Sequence, residues 1–273
     1  MRRKLAVLAG RGPLPAEVIG AARTEGRDVF VLAFEGETDP AIVQDMPHAW
    51  LPLGAIGRAL ETLHAVGAED VVMIGPVRRP SLSNLRLDFR GMQLLARLGL
   101  RGRGDDRLFK AIVDELEGEG FRVLGADDLV GCLLAPEGVI TRAAPDASAR
   151  ADIALGVEVA ARLGELDVGQ AVVVQNGLVL GVEAVEGTDR LLARCAELRR
   201  DGPGGVLVKL KKPSQERRAD LPTIGPKTVE AAEAAGLKGI AVHADNCLIV
   251  ERSQMIERAD RLGLFVVGVP GRP

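Results

Sequence analysis

Apolar positions in the first half of the chain alternate between two rhythms. Unbroken runs at 4–10 (KLAVLAG), 28–34 (DVFVLAF) and 70–75 (DVVMIG) read as strands, the first of them buried. Between and after them, 13–26 (PLPAEVIGAARTEG), 55–67 (AIGRALETLHAVG) and 105–120 (DDRLFKAIVDELEGEG) repeat apolar residues every three or four positions, the period of an amphipathic helix. Asp105 or Asp106 caps the third of these, and Gly26 closes the first. Strand, helix, strand in this order predicts parallel βαβ units in an open sheet.

The rhythm breaks at 133–146 (LLAPEGVITRAAPD), where Pro136, Gly138 and Pro145 interrupt it. The division expected is therefore a Rossmann-like α/β domain over 1–135, a linker over 136–146, and a mixed α/β domain over 147–273. The second domain opens with a helix (ASARADIALGVEVAARLG). A hairpin follows over 170–184 (QAVVVQNGLVLGVEA), because Asn176-Gly177 tolerates the positive φ that a tight β-turn needs. Helices over TDRLLARCAELRR and GPKTVEAAEAAG, the latter with Pro226 in its first turn, alternate with strands GVLVKL, GIAVHADNCLIVE and LFVVGV.

Composition narrows the function classes. Apolar residues are 47% of the 273, so a packed core is expected rather than disorder. A net charge of −3 and 3% aromatics, with no Tyr, argue against nucleic-acid binding. Cys132, Cys195 and Cys247 are odd in number and scattered, which fits a reducing, cytoplasmic setting and no CxxC metal site. No run approaches the ~18 apolar residues that span a bilayer, and the basic start has too short an apolar run for a signal peptide.

Five segments carry candidate chemistry. In LAGRGPLP (8–15), Gly10 and Gly12 let backbone N–H groups approach an anion at a helix start, or form an ordinary βα turn. Pro15 stands where a dinucleotide fingerprint wants its third glycine, which argues against NAD even though Glu35 ends the second strand as a ribose-binding acid would. Residues 77–107 hold eight arginines against three aspartates, interleaved with Leu85, Leu87, Phe89, Met92, Leu95 and Leu98. Arg90, Arg97 and Arg101 can share a helical face there. Such a stretch is either a core-facing helix with a solvated basic face or a surface for anionic membrane or an acylated amphiphile. EAVEGTDR (183–190) offers Glu183, Glu186 and Asp189 as oxygen ligands, with Thr188 placed to cap the next helix. Asp105 and Asp106 bind metal only if the fold brings another acid near. His48, His64 and His243 show no metal spacing, and His243 reads as structural.

The fifth segment, KLKKPSQERRADLPTIGPKT at 209–228, is the most pointed. Lys209, Lys211, Lys212, Arg217 and Arg218 crowd ahead of Asp220 in a chain that is acidic as a whole. This long loop leaves the C-terminal end of a strand, where open α/β sheets place ligands. Lys209, Lys212 and Arg217 can neutralise phosphate oxygens, and Asp220 can hold Mg²⁺ or orient water.

VLVKLKKPSQERRADLPTIGPKT resembles the signature of the metal-dependent UDP-2,3-diacylglucosamine diphosphatases of lipid A biosynthesis, the LpxI type, which are unrelated to the calcineurin-like hydrolases of the same step. LAGRGPLP, GPVRRP (75–80), GDD (104–106), DVGQAVVVQNGLVLGVEAVEGTD (167–189) and RLGLFVVGV (261–269) extend the resemblance along the chain. Arg11 interrupts a loop that usually reads Gly-Gly-Gly, Pro76 stands where asparagine is common, and Ser214 takes a frequent glycine position. The resemblance implies two linked domains holding substrate between them. It implies Mg²⁺-dependent (or other divalent-dependent) hydrolysis of UDP-2,3-diacylglucosamine to UMP and 2,3-diacylglucosamine 1-phosphate (lipid X), with attack on the phosphorus nearer the sugar. Asp220 matches the family's essential aspartate. On this reading Asp220 holds the metal with Glu183 or Asp189, and Lys209, Lys212 and Arg217 join it in catalysis. Substrate contacts fall to Gly10, Gly12, Pro13, Leu14, Arg79, Arg90, Thr188, Asp189 and Thr223. A two-chain glycolipid also assigns lipid contact to the arginine-rich stretch and peripheral contact with the inner membrane. A homodimer is the default for such an enzyme. Rival expectations are an NAD-linked oxidoreductase and a non-catalytic nucleotide-sugar carrier.

Overall fold

The computed structural model describes residues 3–78, 86–98 and 105–271, Asp105 by its backbone alone. The chain divides into two compact units. One comprises residues 1–131 together with 216–220, the other residues 132–215 and 221–273.

The first unit is built on a five-stranded parallel sheet. Its strands are β1 (Leu5–Ala9), β2 (Val29–Phe34), β3 (His48–Leu51), β4 (Asp70–Ile74) and β5 (Arg122–Leu124), in the order β3-β2-β1-β4-β5. The order reverses between β1 and β4, and that switch point opens a crevice beyond the C-terminal strand ends. KLAVLAG forms the buried strand expected, and every residue of β1 and of β4 is buried. The helices are α1 (Leu14–Thr24), a short α2 (Pro40–Val43), α3 (Ile56–Ala65), α4 (Phe89–Leu98), α5 (Asp105–Gly118) and α6 (Ala126–Leu129). One core joins Leu8, Leu32, Leu60, Leu63, Val71, Val113 and Leu116, and packs α3 and α5 on a single face of the sheet. At the opposite end of β4, the Asp70 carboxylate accepts from Arg122 Nε and Nη2, both at 2.8 Å, and from Arg27. β3 and β5 were not anticipated: HAWL and RVL are too short and too mixed to show a period of two.

The second unit holds a six-stranded mixed sheet in the order β6-β13-β11-β9-β7-β8. Its strands are β6 (Gly138–Val139), β7 (Ala171–Gln175), β8 (Leu178–Val182), β9 (Val206–Lys209), β11 (Gly239–His243) and β13 (Phe265–Val269). β9, β11 and β13 run parallel, and β7 and β8 form the predicted hairpin. Asn176 and Gly177 both have positive φ (51° and 75°). The fully buried Asp152 accepts their two amides at 3.0 and 2.7 Å, which anchors the turn to α7 (Ala147–Glu165). The segment expected as a linker belongs to this unit, because β6 pairs antiparallel with β13. One core lies under α7. The other lies under α8 (Thr188–Glu197), α9 (Pro226–Ala234) and α10 (Arg252–Leu262). α10 was missed, since RSQMIERADRL is charged on most of its surface and buries only Met255 and Ala259. A two-stranded parallel pair, β10 (Thr223–Ile224) with β12 (Leu248–Ile249), completes the unit.

Candidate functional site

At the switch point, two glycines bring the loops after β1 and β4 into backbone contact. A Cβ on Gly10 would stand 2.3 Å from the Gly75 carbonyl oxygen and 2.8 Å from that of Pro76. Gly10 N–H donates to Ile74 O at 2.8 Å, and Arg11 N–H to Pro76 O at 2.9 Å. These amides are used between the ends of β1 and β4 and their loops, and Gly10 also lines the apolar cavity described below. Pro13 and Pro15 bring no N–H to the start of α1, Leu14 is buried in the core, and Ala16 N–H is donated to Pro13 O. Gly12 is exposed with φ +82° and open space around it.

Arg11, the departure from the three-glycine pattern, ties this region together. Its guanidinium donates to Glu37 Oε2 at 2.7 Å and to Gly36 O at 2.7 Å, and Glu37 Oε2 also accepts Arg78 N–H at 2.9 Å. Burial pushes the Glu37 carboxyl up, but Arg11 and the Arg78 amide outweigh it and hold the group below the usual glutamate value. Glu37 thus bridges the loops after β1 and β4, a role with no local signature in the sequence.

Between α3, α4 and α5 and these loops lies an apolar cavity of about 260 Å³. Leu8, Phe34, Ile56, Leu94 and Phe109 line its walls, and Gly75 and Arg78 its loop side. Ala219 also lines it. The five residues 216–220, far along the chain, are thereby part of this unit. Arg217 Nη2 donates to Asp127 Oδ2 at 2.8 Å, and Arg218 binds Glu216 and, at 2.5 Å, Glu117. The Arg218 guanidinium beside Glu216 holds that carboxyl below its ordinary value. Asp220, half-buried, follows Ala219 directly and donates its backbone N–H to Glu216 O at 2.9 Å.

The other expected site residues have mostly structural partners. Lys209 is buried and donates to Thr223 O at 3.0 Å, while the Thr223 hydroxyl donates to Leu221 O at 3.1 Å. Lys212 Nζ donates to Asp167 Oδ1 at 2.7 Å, just beyond the end of α7. Thr188 does not cap α8. Gly187 precedes the helix without a side-chain cap, and the Thr188 hydroxyl donates to Glu183 Oε1 at 2.7 Å. Glu183 is buried, and its other oxygen accepts Gln170 N–H at 3.2 Å. Asp189 is exposed in the first turn of α8. Among the described residues, no three His, Cys, Asp or Glu side chains gather as a metal-holding group. Arg90 donates to Glu119 at 2.6 Å, so the basic face of α4 is paired with α5. Arg79, Leu85, Arg101, Arg103 and Gly104 lie outside the described residues.

Among the described residues, no helix is long and apolar enough to cross a membrane. Solved structures of the biotin carboxylase subunit of pyruvate carboxylase (13% identity, 63% of this chain and 35% of that one, TM-score 0.25) and of N5-carboxyaminoimidazole synthase from Aspergillus clavatus (16%, 73% and 44%, 0.24) are too distant to carry an argument. The sequence is 42% identical over 98% of both chains to a Caulobacter vibrioides protein named UDP-2,3-diacylglucosamine pyrophosphatase LpxI. Residues 4–133 match the LpxI N-terminal domain and residues 136–267 the LpxI C-terminal domain, and the chain therefore belongs to the LpxI family.

Proposed function

We propose that the chain hydrolyses the diphosphate of UDP-2,3-diacylglucosamine to UMP and 2,3-diacylglucosamine 1-phosphate, the reaction in keeping with the name of its relative. One observation carries the reading: the five-residue segment that bears Asp220 packs into the first unit, where its neighbour Ala219 lines a cavity fit for hydrocarbon. A carboxylate beside an apolar cavity suits a substrate that is charged at one end and acylated at the other.

In the reaction, water forms a new P–O bond, the bridging P–O bond breaks, and the departing phosphate keeps the electron pair. The proton of the water passes to solvent or to a nearby base. Charge on the diphosphate is already high, so positioning and cations do most of the work. Arg78, exposed on the loop side of the cavity, is the cation that the described residues place there. Arg217 acts by position: its contact with Asp127 holds the segment that presents Asp220.

A divalent cation, when bound, draws charge from the diphosphate oxygens and acidifies its water. The donor set fits one in part. Asp220 supplies a hard oxygen, and Mg²⁺ is commonly held by one or two carboxylates together with substrate phosphates. Glu183 does not fit, since it is buried with both oxygens engaged.

The test follows UMP release from the purified chain and substrate, with Mg²⁺ or with EDTA, for wild type and Asp220→Asn. The substitution is expected to lower kcat by about a thousandfold and to leave thermal unfolding unchanged. Activity of Asp220→Asn within about threefold of wild type would remove Asp220 from the chemistry. Absence of UMP from wild type would remove the reaction.

A further inference from the structure

A surface helix normally turns its polar stripe to water. α4 does not. Its inward stripe is apolar as expected: Leu94 and Leu95 line the cavity, and Leu94 is buried. Its outward stripe, at spacings of three, four and seven from Phe89, is Phe89, Met92, Gln93 and Ala96, all exposed and with no charge. Phe89 is 70% exposed and Met92 51%, the large apolar side chains that the first unit leaves most exposed among the described residues. A single exposed apolar residue means little, but a large aromatic and a thioether one turn apart on one helix form a patch.

Arginines flank that patch. The side chains of Arg86 and Arg97 are 78% and 68% exposed, and that of Arg90 is 41% exposed. Acids behind them steady these side chains: Glu35 holds Arg86 at 3.8 Å, Glu115 is shared by Arg97 at 3.4 Å and Arg90 at 3.5 Å, and Glu119 also holds Arg90 at 2.6 Å. A guanidinium has five N–H donors, so one or two carboxylate contacts leave others to meet phosphate oxygens. An apolar centre with a rim of arginines is the chemistry of a helix lying in the headgroup layer of an anionic bilayer.

We propose that the outward face of α4 docks the protein on an anionic lipid surface. Phe89 and Met92 enter the acyl boundary, and Arg86, Arg90 and Arg97 meet the phosphates. The same helix walls the cavity on its inner side. Docked this way, it places the apolar cavity one helix diameter from the layer that supplies a diacylated substrate. This last step rests on the function proposed above. The docking itself does not.

The experiment is co-sedimentation of the full chain with vesicles of phosphatidylglycerol and phosphatidylcholine, or of phosphatidylcholine alone, at low and high salt. Wild type is expected to bind the anionic vesicles and to leave them as salt rises. The Phe89→Ser/Met92→Ser variant is expected to lose about tenfold or more in partitioning with its thermal unfolding intact. UMP release by this variant should stay near wild type on detergent-dispersed substrate and fall on substrate held in vesicles. Three results overturn the proposal: equal vesicle binding by variant and wild type, no binding by a wild type that hydrolyses dispersed substrate, or a wild-type dimer that the variant dissolves. The last would make this face a contact between copies. No UMP release by a wild type that does bind vesicles would instead count against the proposed function.

Discussion

Replacing Gly10 by alanine separates two roles for the loop after β1. The new Cβ would sit 2.3 Å from Gly75 O, 2.7 Å from Gly75 C and 2.8 Å from Pro76 O, all backbone atoms that no side-chain rotation can move away. Relief needs a displacement of about 1 Å between the loops, and overpacking of this kind costs about 1–3 kcal/mol. The same displacement stretches Gly10 N–H to Ile74 O and Arg11 N–H to Pro76 O, now 2.8 and 2.9 Å, at about 1 kcal/mol each. The total is about 3–5 kcal/mol, or about 10 °C in the melting of a unit this size. Gly12→Ala is the control. Nothing lies within 4 Å of its Cβ, so only its φ of +82° opposes the change, at about 1–2 kcal/mol. Differential scanning calorimetry of both variants, with UMP release measured well below the transition, reads the two effects apart. A Gly10→Ala protein with unchanged melting but abolished turnover would refute the packing account and restore Gly10 to ligand contact.

Two further outcomes are expected. If Arg217 works by holding the 216–220 segment on Asp127, then Asp127→Asn should lower kcat/KM as much as Arg217→Met, and the double variant no further. Near-normal turnover in Asp127→Asn would place Arg217 on the substrate instead. Asp70 carries an acid-sensitive part of the first unit's stability. Burial pushes its carboxyl up, but Arg122 and Arg27 more than offset this and hold it below 3.8. A lowered folded value means stabilisation is fully present above that pH and is lost as pH falls through the folded value. Asp70→Asn should therefore cost about 2 kcal/mol at neutral pH and shallow the loss of stability below pH 3.8. Parallel pH curves for the two proteins would contradict this.

What could be read before the fold was known is what local chain chemistry decides. Apolar runs announced β1, β2 and β4 because such runs need no partner to be recognised. The β7–β8 hairpin was legible because Asn176 and Gly177 can take positive φ wherever they occur, and α9 because Pro226 suits a first helical turn. Asp220 stood out as one acid after a run of cations, and the motif around it carried the family.

Tertiary structure decided where that segment goes and what its neighbours do. Arg217 meets Asp127 across 90 residues and Arg218 meets Glu117 across 101, and no period or spacing encodes such pairs. Gly10 looks the same in sequence whether it abuts another backbone or opens on a cavity, and only the fold shows that it does both. The charge of Lys209, Lys212 and Glu183 was visible, while the Thr223 carbonyl, the Asp167 carboxylate and the Thr188 hydroxyl that meet them were supplied by the fold. Charge is a property of the residue, whereas its availability to a substrate depends on partners that long-range packing brings within hydrogen-bond reach.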